Sequence, residues 1–376
     1  MKPGLGIFAS TLLAVASVPL WAVHQTPQKA LVKDSTTEAV EAYLATDPPP
    51  ETGKLAGQDP LPGADVEAPQ ELQNPSLPAW AFTPPPPRRA PVAGAPRRAP
   101  DPTPLRVPGS TKEYTRQQTG NAYGPPDWFP DDHPPMPKPV SEGHRPLYAA
   151  CGYCHLVNGF GRPENAGLAG LPAAYIEEQI ADFKHNNRHN SVPHMASPLM
   201  ISIANSAPDD EIKEAAEYFA KVKYTKWITV KETNTVPKVH SANRMWAPNE
   251  NGAAEPIGNR IIEVPRDLQL VEIRDAAEPF LAYVPVGSIL KGKRLVRSGG
   301  AGKTVACVTC HGQDLKGMGN IPSIAGRSPS YVGRQIYDFK TGARHGENSA
   351  LMKAPVAKLT DRDIVDIIAY LTSLEP

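Results

Sequence analysis

The chain has 376 residues, enough for two or three domains, and its 39 basic and 39 acidic residues cancel to zero formal charge. That balance excludes the basic footprint of a nucleic-acid binder and implies no strongly acidic partner. Proline is abundant, with 44 residues, so a long part of the chain is expected to be extended rather than packed.

Met1 and Lys2 precede an apolar, uncharged run from Leu5 to Val23. Residues 1–23 therefore read as a secretory signal peptide, with an uncleaved single anchor as the alternative because the run almost spans a bilayer. Residues 24–125 read as a Pro-rich disordered tether. Pro48–Pro50, Pro84–Pro87 and the Arg-Arg-Ala-Pro repeats at 88–91 and 97–100 lack apolar periodicity, and proline removes backbone donors. Such a spacer reaches about 3.1 Å per residue at most. Its paired arginines offer a weaker reading, docking on an acidic partner or anionic lipid.

Residues 126–222 form a first domain. Tyr123, Trp128, Phe129 and Met136 lie among prolines and are expected to strap its surface. Helices are expected from Tyr175 to His185, with Ile176, Ile180 and Phe183 on one face, and from about Pro208 to Val222. Pro208 suits a first helical position, and Asp209, Asp210 and Glu211 suit a first turn. Residues 223–286 are a connector with short β-type runs at 227–230, 260–264 and 280–284. Residues 287–376 form a second domain. Its helices are expected near Ser288, from Ser328-Pro329 to Lys340, and from a capping box at Thr360–Asp363.

The chemistry lies in a motif that occurs twice, Cys151-Gly152-Tyr153-Cys154-His155 and Cys307-Val308-Thr309-Cys310-His311. C-x-x-C-H is the attachment sequence of a c-type haem. Two thiols on one helical turn can form thioethers with one porphyrin, and the following His155 or His311 is then held under the ring as an axial iron ligand. The two motifs use all four cysteines. A zinc site of four thiolates is the competing reading, disfavoured because the pairs lie far apart and each runs directly into His.

The motifs open an internal repeat. At an offset of 156 residues Tyr175 matches Tyr331, Gln179 matches Gln335, and Ile180 matches Ile336. Asp182-Phe183-Lys184 likewise matches Asp338-Phe339-Lys340, and Arg188-His189 matches Arg344-His345. The offset then falls to 152, where Leu199-Met200 matches Leu351-Met352. Both halves resemble class I cytochrome c domains, arranged as in the dihaem cytochromes of the c-four type. The resemblance covers roughly residues 138–222 and 287–376. It implies a mainly α fold, two tandem domains each built around a covalent haem c, and export to the periplasm. It also implies His and Met axial ligands and electron transfer as the activity.

The distal ligands are then expected to be Met200 and Met352, the latter in a loop between two helices. Thioether sulfur favours Fe(II) and raises the potential. Met195 competes with Met200, and the repeat selects Met200. His185, His189, His194 and His345 are the candidates for a bis-His alternative. Arg188, Arg344, Tyr175 and Tyr331 are candidate contacts to haem propionates, with salt bridging and core packing as the bland alternative.

The leading function is an exported, non-enzymatic electron carrier between a redox donor and acceptor. The donor would be a dehydrogenase or a quinol-oxidising complex, and the acceptor an oxidase or another cytochrome. The alternative is a dedicated cytochrome subunit of one oxidoreductase complex. A dihaem peroxidase, which needs an open iron, comes third. Membrane association would follow if the N-terminal segment were retained.

Overall fold

The computed structural model describes residues 1, 77–85, 101–192 and 197–376. The described residues from 77 onward belong to one compact unit. The signal-or-anchor segment, most of the tether, His194 and Met195 lie outside the described residues.

The elements follow in chain order. First come β1 (Pro104–Leu105), β2 (Tyr114–Thr115), α1 (Arg116–Thr119), α2 (Lys138–Ser141) and α3 (Cys151–His155). Next are α4 (Ala173–Lys184), α5 (Ser197–Ser206) and α6 (Asp209–Lys221). The connector holds β3 (Ile228–Thr233), β4 (Thr235–Pro237), β5 (Val239–Ala242), β6 (Met245–Pro248), β7 (Ala254–Pro256), β8 (Ile262–Pro265), α7 (Leu268–Glu272) and β9 (Phe280–Pro285). The second lobe has α8 (Ser288–Ser298), α9 (Val308–His311), α10 (Pro329–Thr341), α11 (Ala350–Ala357) and α12 (Asp361–Ser373). The result is two helical lobes joined by small sheets.

Local chemistry sets most of these boundaries. Pro208 caps α6 from outside rather than opening it, and Asp209, Asp210 and Glu211 face the positive end of the helix. Ser328 accepts from the Tyr331 amide at the start of α10, Pro329 occupies the first turn, and Gly342 ends the helix in the left-handed conformation. Thr360 and Asp363 form a reciprocal capping box on α12.

In the connector β9 lies between β3, which runs parallel to it, and β8, which runs antiparallel. Two antiparallel pairs, β4 with β7 and β5 with β6, complete it. The buried Glu263 of β8 accepts from the Ser328 hydroxyl at 2.8 Å and from the Ser330 amide at 3.1 Å. The connector thus places a carboxylate at the N-terminal end of α10.

Two parts of the stretch read as tether are packed. In residues 77–85, Trp80, Ala81, Phe82 and Thr83 are buried. Trp80 lies over Gly333, where even a Cβ would come within 2.8 Å of its ring, and the ring of Phe82 tilts against Tyr337 at 6.0 Å. In residues 101–125, Val107 joins Trp128 and Ile273 in a small separate core. Residues 77–85 hold no regular element, and residues 101–125 hold only the short β1, β2 and α1, too brief for a periodic apolar pattern to mark them. Trp128, expected on the surface of the first domain, is buried and donates from Nε1 to the Ile273 carbonyl at 3.1 Å.

Candidate haem sites

Each attachment motif forms a short helix, with Cys151 and Cys154 within α3 and Cys307 capping α9, so both thiols of a pair lie on one turn. Burial pushes the Cys151 thiol up to about 12, with Cys154 adding to it, and pushes Cys307 up to about 11. Cys151, Cys154 and Cys307 are half-buried, and Cys310 is exposed. The chain turns sharply after each histidine. The Gly161 amide bonds the His155 carbonyl at 2.8 Å, and the Gly317 amide bonds the His311 carbonyl at 2.9 Å. Both glycines have positive φ, 71° and 94°, and a Cβ at either would strike the backbone of the returning loop.

That loop orients the imidazoles. His155 Nδ1 donates to the Ala166 carbonyl at 2.8 Å, and His311 Nδ1 donates to the Pro322 carbonyl at 2.9 Å. Ala166 and Pro322 are themselves repeat-equivalent. Burial holds both histidines below the ordinary imidazole range, against the raising effect of these carbonyls. A neutral imidazole with Nδ1 committed leaves Nε2 available to a metal, the usual arrangement for a ligating histidine.

Above His155 is a cavity with about 910 Å³ of non-atom space, its open mouth included. Apolar side chains of Leu168, Leu171, Ile176, Ile180 and Phe183 line it, together with Cys154 and Met200. A thiol, a neutral imidazole and a thioether around one apolar cavity fit a covalently bound porphyrin iron. Met200 lies on α5, not in a loop, and Met352 lies on α11. The loop expected around Met352 is helical because Ala350, Leu351, Met352 and Lys353 are strong helix formers. Met352 packs half-buried against the main core.

The predicted propionate contacts are brought together in a joint between the domains. Arg188 donates to Gln179 at 2.9 Å, to the Tyr331 hydroxyl at 3.0 Å and to Gln335 at 3.1 Å. Arg344 reciprocates, donating to Gln335 at 3.0 Å, to Gln179 at 2.6 Å and to the Tyr175 hydroxyl at 3.5 Å. The two arginines pair as an antiparallel bridge, flanked by the stacked rings of His189 and His345. Burial pushes the Tyr175 phenol up, but Arg344 and Arg188 outweigh it and bring it below its ordinary value. Tyr175, Arg188 and Tyr331 also line the first cavity. Of the candidate histidines, His189 reaches the cavity wall but bonds the Asn186 carbonyl at 2.9 Å, and His185 is exposed.

Several residues near the first site were not singled out by their sequence. Arg334 and Glu164 line the cavity. Arg274 of the connector donates to the Thr119 carbonyl at 3.2 Å and to the Tyr153 carbonyl at 2.5 Å, and its guanidinium lies 3.5 Å from the centre of the Tyr153 ring. The matches of Tyr175 with Tyr331, Gln179 with Gln335 and Arg188-His189 with Arg344-His345 in the repeat all pointed toward the joint.

Cytochrome c-554(548) of Halomonas halodenitrificans is 42% identical over 77 residues, which is 20% of this chain and 93% of that protein. The chain belongs to the cytochrome c family. The cytochrome c family model matches residues 289–375. Over longer spans this cytochrome is 28% identical to a thiosulfate dehydrogenase electron acceptor of Thiomonas intermedia, covering 61% of this chain and 80% of that protein. It is 26% identical to cytochrome c4 of Azotobacter vinelandii, covering 60% of this chain and 85% of that protein. With two attachment motifs it is a dihaem c-type cytochrome, an electron carrier with two covalent haem c groups.

Proposed function

We propose that this cytochrome is the dedicated electron acceptor of a periplasmic oxidoreductase, with a thiosulfate dehydrogenase as the first candidate donor. The observation that carries this reading is the similarity to thiosulfate dehydrogenase electron acceptors of Thiomonas intermedia and Stutzerimonas stutzeri across both domains. Two one-electron sites in one chain suit a donor that releases electrons in pairs. The similarity to cytochrome c4 supports the broader reading of a shuttle with several partners.

In this proposal Cys151 and Cys154 would hold the first haem through thioethers, and His155 and Met200 would ligate its iron. Cys307 and Cys310 would hold the second, with His311 and Met352 as ligands. When bound, each haem supplies an Fe(III)/Fe(II) couple that accepts and releases one electron. The chain's part is to hold geometry and exclude water. The Ala166 and Pro322 carbonyls fix the imidazole planes, and the apolar wall of the first cavity keeps the site dry. Arg188, Arg344, Tyr175 and Tyr331 are proposed to share their donors between the joint and the propionates.

Export is supported by the chemistry of haem c attachment and by the apolar N-terminal run. Among the described residues no helix is long and apolar enough to cross a membrane. Tethering through residues 1–23 stays part of the proposal.

The test is rapid mixing of the oxidised holoprotein with a substrate-reduced thiosulfate dehydrogenase. Fast reduction of both haems, with a slower response to unrelated donors, is expected. Equal rates with all donors would favour the shuttle. A charge-transfer band at the red end of the ferric spectrum, lost in Met200→Ala or Met352→Ala, tests the axial ligands.

A further inference from the structure

We propose that Arg334, contributed by the second domain, is a fixed positive charge at the first haem cavity that raises the reduction potential of the first haem. The proposal rests on the reading of that cavity as a haem site.

Arg334 lies on α10 and lines the cavity that also contains His155 and Met200. It is buried, with 2% of its surface exposed. Nη1 donates to the Ala81 carbonyl at 3.0 Å, and Nη2 donates to the Pro163 carbonyl. Both acceptors are neutral, so they fix the guanidinium without cancelling its charge. Pro163 belongs to the loop after the first attachment motif. Ala81 belongs to the 77–85 segment, which Trp80 anchors over Gly333.

The acids within electrostatic reach of Arg334 are Asp338, Glu263 and Glu164. Each has other partners. Asp338 accepts from the amide and hydroxyl of Ser191, Glu263 from Ser328 and Ser330, and Glu164 pairs with Arg162. Burial also pushes Asp338 and Glu263 upward, toward the uncharged form, more strongly than their hydrogen bonds pull them down. Burial lowers the Arg334 guanidinium from its ordinary value too, but an arginine keeps its proton, so its positive charge stays at the cavity wall.

The repeat makes this charge one-sided. The offset of 156 that equates His155 with His311 equates Arg334 with Glu178, a residue of opposite sign. Two sites matched in thiols, imidazoles and carbonyl acceptors thus differ in charge at this position, as they do at Arg162 and Glu164, which the offset equates with Met318 and Asn320. Reduction takes one electron from the donor, oxidising it by one electron, and lowers the positive charge at the iron by one. A nearby guanidinium in a low-dielectric wall repels the oxidised state more than the reduced one, so it favours reduction.

The experiment is a spectroelectrochemical titration of the full-length holoprotein. Met352→His, which lowers the second haem's midpoint, assigns the two transitions. Arg334→Gln is expected to shift the first midpoint downward and leave the second in place, and Arg334→Lys to keep it near its original value. Glu178→Arg, at a half-buried position, is expected to shift the second midpoint upward. This mirror variant also decides the matter if Arg334→Gln does not fold. Unmoved midpoints in Arg334→Gln and Glu178→Arg would overturn the proposal. So would equal downward shifts in Gln and Lys, which mark lost packing rather than lost charge. Fewer than two haems in the parent protein would instead sink the dihaem reading, and mass and Soret absorbance report that separately.

Discussion

The two haem domains share a motif, a repeat and a way of holding histidine, yet they complete themselves differently. The second domain has a full first helix of its own, although Trp80, Glu263 and Arg334 also tie it to its neighbours. Its α8 crosses α12 at Gly292, where a Cβ would collide with the Asp366 carbonyl. The equivalent stretch of the first domain, 132–142, carries Pro134, Pro135, Pro137 and Pro139 and yields only the four-residue α2. The missing helix is replaced by borrowed surface. Trp128 packs on Ile273, Arg274 reaches the Tyr153 and Thr119 carbonyls, and Asn158 donates to the Ala276 carbonyl at 2.7 Å. Tyr331, Arg334 and Gln335 of the second domain line the first cavity. Two copies of one fold can therefore differ in autonomy, with the first depending on its neighbours.

The sharpest way to break this comparison is to remove one haem at a time. Replacing Cys307 and Cys310 with Ser should cost the second haem and unfold the second domain, since a domain of this size has a marginal core alone. It should also perturb the first haem, whose cavity wall includes α10. Replacing Cys151 and Cys154 should leave the second domain folded. Haem content and far-ultraviolet circular dichroism distinguish the two, and symmetric behaviour would refute the dependence.

A smaller effect is expected from Trp128→Ala. The residue is 1% exposed and bonds Ile273, so its loss should cost about 3–5 kcal/mol. The damage should be confined to the first haem's thermal transition. Gly292→Val tests the opposite domain. Overpacking the α8–α12 crossing should cost more than ordinary core overpacking, which is about 1–3 kcal/mol, because even a Cβ would overlap the Asp366 carbonyl oxygen, and should lower the second transition. If Trp128→Ala and Gly292→Val lowered both transitions equally, the two domains would be one cooperative unit.

The smallest effect is a pH dependence carried by the connector. Burial pushes Glu278 up to about 8 from an ordinary 4.5, and Asp275 up to about 6. Each carboxyl keeps its proton longer in the folded state than in the unfolded one. The stability these groups contribute is fully present only below their unfolded values and is lost as pH rises from there through the folded ones. The first transition should soften between about pH 5 and pH 8, and Glu278→Gln should flatten that slope. A thermal melt series in pH, with the second transition as internal reference, checks it.

Much of the fold was legible because its signals are local. The apolar faces of α4 and α6 and the capping box of α12 recur at helical spacing, and neighbouring residues set them. The packed segments at 77–85 and 101–125 were not legible. Their burial comes from contacts such as Trp80 with Gly333 and Val107 with Ile273, more than 150 residues away. Met352 is a different case: the helix around it follows from its own helix-forming neighbours, a local signal that the expectation of a loop passed over.

Sequence alone determined that two porphyrins are attached covalently, that a histidine follows each attachment pair, and that one fold is used twice. Bond-forming groups must lie on one turn, and a duplicated pattern needs no coordinates to be seen. Tertiary structure decided which arginines meet which glutamines, which buried guanidinium lies at which cavity, and which domain leans on the other. Those choices follow from how distant surfaces close against one another, a property no short stretch of residues carries.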